Sequence, residues 1–249
     1  MARSKERLDV LVVEHGLAPS RERARAMILA GQVSVDGRVV SKAGTAVDRA
    51  CRIDVITPDH PYVGRGGIKL AHALETFAID VTGRLALDIG ASTGGFTDVL
   101  LQRGARRVVA LDVGHGQLDW KIRSDPRVDV IERKNARTLT PSDLPPGRAP
   151  FQLVTIDVSF ISLRLILPVV PPLADDPADV VALVKPQFEA GRAEVGKGGI
   201  VRDPVVHARV LEEVATAADA LGLRRAGTIE SPIAGMEGNR EYLLHLQKR

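Results

Sequence analysis

The first sixty residues alternate between two helical patterns and several strand-like ones. In RLDVLVVEHGL, residues 7–17, Leu8, Leu11 and Val12 fall on one helical face, and Gly16 supplies a C-terminal stop. Ser20 is placed to cap a second helix, SRERARAMILAG, in which Ala24, Met27 and Ile28 repeat at i, i+3, i+4 and Gly31 ends the run. QVSVDGRVV then alternates: Val33 and Val35 share a side, Asp36-Gly37 forms a two-residue hairpin turn, and Val39 resumes the pattern. CRIDVI adds a short strand near residue 56. These elements predict a compact α+β module over residues 1–60, and the Pro/Gly-rich TPDHPYVGRGG reads as a linker, centred on 61–66.

From residue 67 to 249 the periodicity changes. LALDIG, RVVALDV, VDVI, LVTIDV, VVALV, RRAGTIE and EYLLHLQ are strand candidates, most of them separated by helical stretches such as VVHARVLEEVATAADALG. Continuous apolar strands alternating with helices predict an α/β domain, a mostly parallel seven-stranded sheet with helices on both faces.

Composition narrows the class. The chain has 249 residues, 45% hydrophobic and 26% charged, an ordinary globular profile. Its one cysteine, Cys51, cannot form an internal disulfide. The opening MARSKER lacks the apolar core of a secretory signal. The richest apolar run, LRLILPVVPPL, is broken by Arg164 and three prolines, so no bilayer-spanning segment is expected and no membrane partner. A cytoplasmic location is the expectation. Aromatic residues make up only 3%, which favours recognition of nucleic-acid shape and phosphates over base stacking if such a partner exists.

Charge is weakly informative overall and more so locally. Net charge is +3, and residues 1–60 carry ten Lys/Arg against eight Asp/Glu. Arg21, Arg23 and Arg25 crowd the start of the second helix, with Arg21 and Arg25 on one face. On charge alone this is either a solvated helix face or a phosphate grip. In order, RLD and then GLAPSRERARAMILAGQVSVDGRVVSKAG resemble the S4 domain, an RNA-binding module, over residues 5 to about 57. That resemblance implies RNA contacts by Arg7, Arg21, Arg25 and Lys42.

LDIGASTGGFTDVL carries the strongest ligand signal. A buried strand ends at Asp88, glycines follow at 90, 94 and 95 with Ser92 between them, and a helix starts near Phe96. The turn needs positions without a Cβ so that backbone and ligand approach closely. The spacing is not G-x-G-x-x-G, which argues against a nicotinamide or flavin. A carboxylate beside the first glycine suits a cationic amine such as that of S-adenosylmethionine. Asp112 closes the next strand, where a carboxylate accepts from ribose hydroxyls, and Asn135 follows VDVI where an adenine pocket can form. The cofactor set expected is Asp88, Gly90, Ser92, Gly94, Gly95, Asp112 and Asn135.

Lys69, Asp157, Lys185 and Glu241 stand at element ends, and strand ends on one edge of a parallel sheet converge on a ligand crevice. Taken singly, each is more often a plain surface charge. GRGGIKL, DIGASTGGFTD, DVGHGQL, TIDVSFISL, LVKPQFE, GKGGIVRD and GNREYLL together resemble the TlyA (haemolysin A) family, in which an S4 domain precedes an FtsJ-like ribosomal RNA methyltransferase domain of Rossmann-like fold. The resemblance implies S-adenosylmethionine as cofactor and ribosomal RNA or ribosomal subunits as partner. It further implies 2′-O-methylation of cytidine in 16S rRNA, 23S rRNA or both, and a Lys-Asp-Lys-Glu tetrad at Lys69, Asp157, Lys185 and Glu241. An alcohol proton must leave during such a transfer. A lysine takes it only where a neighbouring cation and partial burial favour the free amine, so Lys185 is the expected base and the other three orient it.

Other readings stay open. Glu237, in a Gly-rich loop, competes with Glu241, which directly precedes a strand. EAGRAEVGKGGIVRD, basic at Arg192 and Lys197, is either a mobile lid or a surface loop. His115 and His207 show no ligand spacing, so no metal site is expected. Pseudouridine synthases also carry S4 modules, but their chemistry does not need the Gly-rich loop. A non-catalytic rRNA-binding factor and a membrane-lytic haemolysin are the remaining alternatives.

Overall fold

The computed structural model describes residues 5–56, 60–235 and 238–249. In the small domain β1 (Lys5–Arg7) and α1 (Leu8–Glu14) lead into α2 (Arg21–Leu29), β2 (Val33–Val35), β3 (Arg38–Val39), β4 (Ala46–Asp48) and β5 (Ile53–Val55). The cap on α2 is as expected: Arg23 N–H donates to Ser20 Oγ at 3.2 Å. Asp36 and Gly37 have φ of 50° and 78°, the left-handed pair that a two-residue hairpin turn requires. Leu8, Val12, Ala24, Met27, Ile28 and Val33 form the buried core. The pairing of β1 with β4 was not anticipated; KER and AVD are too short and mixed to show alternation.

The larger domain contains α3 (Gly66–Thr76), β6 (Leu85–Ile89), α4 (Gly95–Gln102), β7 (Arg107–Leu111), α5 (Trp120–Arg123) and β8 (Val128–Ile131). It continues with β9 (Phe151–Ile156), β10 (Ala174–Val184), α6 (Pro186–Glu189), α7 (Pro204–Asp219), β11 (Leu223–Glu230) and β12 (Tyr242–Lys248). Seven strands form one sheet in the order β11-β12-β10-β9-β6-β7-β8, and β12 alone runs antiparallel to its neighbours. The expected seven-stranded, mostly parallel sheet is therefore present.

Alternation along β6 sorts the two cores. Leu85, Leu87 and Ile89 pack with Val214 and Ala218 of α7 and with Leu163–Leu173, whereas Ala86 faces Leu70 and Leu74 of α3 and Val99 and Leu100 of α4. The chain runs outward from β6 to β7 and β8, then returns to β9 on the other side of β6. That reversal opens a crevice beyond the C-terminal ends of β6 and β9, where open α/β sheets bind ligands.

The linker is docked. Val63 N–H donates to Asp98 Oδ2 at 2.9 Å, and Tyr62 fills the space above Gly67, where a Cβ would lie 2.4 Å from Tyr62 Cγ. The two domains also touch directly, through an ion pair between Arg23 of α2 and Asp119 at the start of α5.

Candidate active site

The loop after β6 follows the expected path for a reason other than the expected one. Gly90, Ser92 and Gly94 have φ of 88°, 47° and 94°, so the chain turns through left-handed conformations. Yet the room left by the missing Cβ atoms is filled by protein. A Cβ on Gly90 would lie 2.2 Å from Asp157 O, one on Gly94 2.9 Å from Leu118 Cδ1, and one on Gly95 3.0 Å from Gly67 N. The glycines let the ends of β6 and β9, the Leu118 loop and the start of α3 close on one another, and the site depends on that convergence.

Asp88 is fully buried, and both its oxygens are engaged, Oδ2 by Thr97 Oγ1 at 2.6 Å and Oδ1 by Thr155 Oγ1 at 2.9 Å. It thus ties β6 to α4 and β9 from inside. Burial pushes its pKa up to about 7; the two hydroxyls pull it down, and the nearby charges of Asp157 and Asp112 push it further up.

Asp112 follows β7 and is half-buried. Its Oδ2 accepts from Ser92 N–H at 2.8 Å and its Oδ1 from Gly114 N–H at 2.6 Å. Beside it lies a hollow walled by Ala91, Leu118 and Val130, with Gln117 and Glu132 among its polar members. Glu132 accepts from Gly116 N–H at 2.9 Å and is paired with Arg123. Burial alone would raise its pKa, but these donors and His115 hold it below the usual carboxylate range. Sequence reasoning missed Glu132 and Gln117 and favoured Asn135, which is exposed and accepts from Arg137 N–H at 3.0 Å as a helix cap.

Four ionisable side chains meet at the neighbouring strand ends. Lys185, just beyond β10, places Nζ 2.6 Å from Asp157 Oδ1 and donates to Ser159 Oγ at 2.9 Å. Lys69 of α3 is paired with Glu241, which precedes β12. Lys69 and Lys185 are each 9% exposed and Glu241 3%, so both ammonium groups are largely screened from water. Burial would raise the Asp157 pKa, but the charges of Lys185 and Lys69 and the Lys185 hydrogen bond outweigh it and hold the group below its ordinary value. Gly235 makes room for Glu241: a Cβ there would lie 2.4 Å from Glu241 Oε1. Glu237 lies outside the described residues.

Sequence reasoning also missed Phe160, three residues beyond Asp157. Its side chain is 92% exposed, its φ is 64°, and its ring meets that of Phe188 at 5.1 Å between centroids. A bulky residue in the left-handed region is a genuine outlier. Only the structure exposes it, since the low aromatic content had pointed away from rings.

The predicted RNA residues of the small domain share a surface. Buried Asp9 accepts from Arg7 Nε at 2.9 Å and from Arg21 Nη2 at 3.0 Å, which fixes two half-exposed guanidinium groups side by side. Arg7 also lies over Gly44, two residues past exposed Lys42. Arg25, one turn beyond Arg21, is exposed. Arg23 is used internally in the pair with Asp119.

The basic loop at 191–202 is anchored rather than loose. Asn239 Nδ2 donates to Gly199 O at 2.8 Å and its Oδ1 accepts from Val201 N–H at 3.0 Å, while His207 bridges Val201 O and Tyr242 Oη. A roomier groove opens at the opposite edge of the sheet, where Asp179 is held by Arg84 at 2.6 Å, His245 at 2.8 Å and Gln247 at 3.1 Å. Among the described residues no group of three or more His, Cys, Asp or Glu is arranged to hold a metal ion.

Known proteins agree with this organisation. Residues 62–248 match the FtsJ-like methyltransferase family and residues 6–50 the S4 domain. The chain is 51% identical to the 16S/23S rRNA (cytidine-2'-O)-methyltransferase TlyA of Mycobacterium tuberculosis, over 99% of this chain and 91% of that protein. It is 42% identical to hemolysin A of Brachyspira hyodysenteriae, over 96% and 98% of the two chains. A solved structure from Streptococcus thermophilus, described as a hemolysin, superposes with a TM-score of 0.76 at 46% identity, covering 99% of this chain and 90% of that one. On these grounds the chain belongs to the FtsJ-like methyltransferase family, as a TlyA-type member with an S4 domain before its catalytic domain.

Proposed function

We propose that this protein transfers a methyl group from S-adenosylmethionine to the ribose 2′-hydroxyl of a cytidine in ribosomal RNA, acting in the cytoplasm on rRNA or a ribosomal subunit. The observation that carries the reading is the convergence of two lysine–carboxylate pairs, Lys185–Asp157 and Lys69–Glu241, on the sheet edge that also bears the Asp112 hollow. The names of the TlyA relatives support the substrate.

The residues that line the hollow suit the chemistry of the cofactor. Apolar Ala91, Leu118 and Val130 suit a purine, and Asp112, with two backbone donors already engaged, retains lone pairs for ribose hydroxyls. Ala91 and Ser92 of the loop line the hollow, and Gly90 lets the loop pass close to Asp157 of the tetrad. Asp88 holds that loop rather than the ligand. When bound, S-adenosylmethionine supplies an electrophilic sulfonium methyl group. With the cofactor bound, Lys185 Nζ, once deprotonated, would accept the 2′-hydroxyl proton as the oxygen takes the methyl carbon, and the electrons of the broken carbon–sulfur bond would stay on the departing neutral thioether. Asp157 then balances the ammonium that results, and Ser159 keeps Nζ aimed. Lys69, steadied by Glu241, keeps a second positive charge near the oxygen as it gains negative character. The exposed Phe160 ring offers a face on which the target base stacks once it leaves its helix. Arg7, Arg21, Arg25 and Lys42 grip phosphates.

A haemolytic activity rests on the names of relatives alone. Among the described residues no helix is long and apolar enough to cross a membrane. The deciding experiment incubates the protein with radiolabelled S-adenosylmethionine and rRNA from cells lacking the gene, then maps the label by mass spectrometry. Label on a cytidine 2′-oxygen is expected. Label on a base contradicts the proposed chemistry, and RNA binding without transfer would support a non-catalytic factor.

A further inference from the structure

We propose that Glu189 is a positioning residue that sets Lys185 for proton removal by clasping the loop after β9 onto the helix after β10. The inference rests on the methyl-transfer reading above and extends it to a residue with no part in binding either substrate.

Glu189 closes α6, four residues after Lys185, and is 6% exposed. A carboxylate withdrawn from water is costly unless its oxygens are engaged. Here both are used on one neighbour: Oε2 accepts from Ser162 Oγ at 2.6 Å and Oε1 from Leu163 N–H at 2.7 Å. Arg164 Nη2 also donates to Glu189 O at 3.3 Å. The segment gripped, 157–163, carries Asp157, Ser159 and Phe160; the gripping segment, 185–189, carries Lys185 and Phe188. Contacts cross between the two at each end, Lys185 to Asp157 and Ser159 at the site and Glu189 to Ser162 and Leu163 behind it, with the Phe160–Phe188 ring contact between them.

The backbone explains why a clasp is needed. Phe160 sits at a φ of 64°, and such a conformation persists only where the surroundings over-determine it. The Glu189 bonds fall two and three residues later and fix the chain as it leaves that turn. Without them the 157–163 segment relaxes, and Asp157 and Ser159 lose their register with Lys185 Nζ. A misplacement of about 1 Å at reacting groups costs about 10²-fold in rate. The loss falls mainly in kcat, with a smaller effect on KM for rRNA through Phe160, and cofactor affinity is spared because the Asp112 hollow does not touch this segment.

The test uses the full chain carrying Glu189→Gln, Glu189→Asp or Ser162→Ala. Amide exchange across 157–163 is measured alongside cofactor affinity, KM for rRNA and kcat. Faster exchange over 157–163 is expected in Glu189→Gln whether or not the parent transfers methyl groups, which separates failure of the clasp from failure of the methyl-transfer reading. For the reaction, kcat is expected to fall about 10- to 100-fold in Glu189→Gln, with cofactor affinity within about twofold and any rise in KM for rRNA smaller than the loss in kcat. Glu189→Asp, one methylene short, should be equally impaired despite its charge. Ser162→Ala, a milder change that serves if the Glu189 variants do not fold, should lower kcat severalfold and lose most of that effect in the Glu189→Gln background. Unchanged exchange and kcat in folded Glu189→Gln, or in Ser162→Ala, would overturn the proposal; so would a parallel loss of cofactor affinity.

Discussion

Lys69 and Glu241, 172 residues apart, form a buried ion pair that joins the first helix of the catalytic domain to the start of its last strand, which Glu241 directly precedes. Removing one partner strands the other charge in a site that is nearly closed to water, at a cost of about 3–5 kcal/mol, whereas replacing both with apolar groups of similar size is close to neutral. Lys69→Met should therefore lower unfolding free energy by that amount, and Lys69→Met/Glu241→Leu should recover most of it while remaining inactive. Urea unfolding checks this. A double variant no more stable than the single one would show that the pair is not energetically coupled.

Asp112 is the proposed ribose ligand. Asp112→Ala should weaken S-adenosylmethionine binding by about 1–3 kcal/mol, the range for hydrogen bonds to a charged group. The same variant frees the Ser92 and Gly114 N–H groups, so Asp112→Asn, which keeps an acceptor, should lose less. Calorimetric affinity unchanged in both variants would remove Asp112 from the site.

Asp88 makes stability depend on pH. Its folded pKa of about 7 stands above the unfolded value of about 3.9, so the native state holds a proton that the unfolded chain releases between those limits. The contribution is therefore unfavourable as pH rises: stability falls from about pH 4 to pH 7 by up to about 4 kcal/mol from this group. Asp88→Asn removes the titration. Between pH 5 and pH 8 the parent should lose more unfolding free energy than the variant, and equal losses would contradict the assignment.

The S4 surface makes a different kind of prediction. Arg21 is fixed by buried Asp9, while Arg25 is exposed one turn away. If both meet phosphates, Arg21→Ala/Arg25→Ala should weaken rRNA binding and lower the salt slope by about 1–2, at roughly 0.7–0.9 per phosphate contact. Cofactor affinity should not move. Arg21→Ala alone should also destabilise the small domain, because Asp9 keeps only Arg7, whereas Arg25→Ala should not. Matching salt slopes in parent and double variant would make these arginines a solvated helix face.

The strands of the sheet were legible because each carries its own period and bounding residues; even RRAGTIE, weakly patterned, is a full strand, β11. Element ends on one sheet edge converge, and the structure pairs Lys69 with Glu241 and Lys185 with Asp157 there; their roles as a tetrad came from the family resemblance and not from any local pattern. What stayed hidden depends on contacts distant in sequence. Arg23 looked like its neighbours Arg21 and Arg25 until Asp119, 96 residues on, claimed it. The glycines of the cofactor loop signalled close approach correctly, but their neighbours are Asp157, Leu118 and Gly67, which no local pattern reveals. Asp88 read as a partner for the cofactor amine because it stands beside the first glycine, and only the hydroxyls of Thr97 and Thr155 show both its oxygens held from inside. Glu189 and Phe160 lie inside motifs that had been noticed, yet their roles come from a left-handed turn and a clasp that sequence does not display.

The central claim is that Lys185 removes the ribose proton. Single-turnover methyl transfer to rRNA by Lys185→Ala, with cofactor and RNA affinities measured in parallel, tests it most directly. The rate should fall by about 10²–10⁴, the usual worth of general-base catalysis, with both affinities nearly unchanged. A folded Lys185→Ala protein that keeps more than about a tenth of the parent's transfer rate would contradict the account.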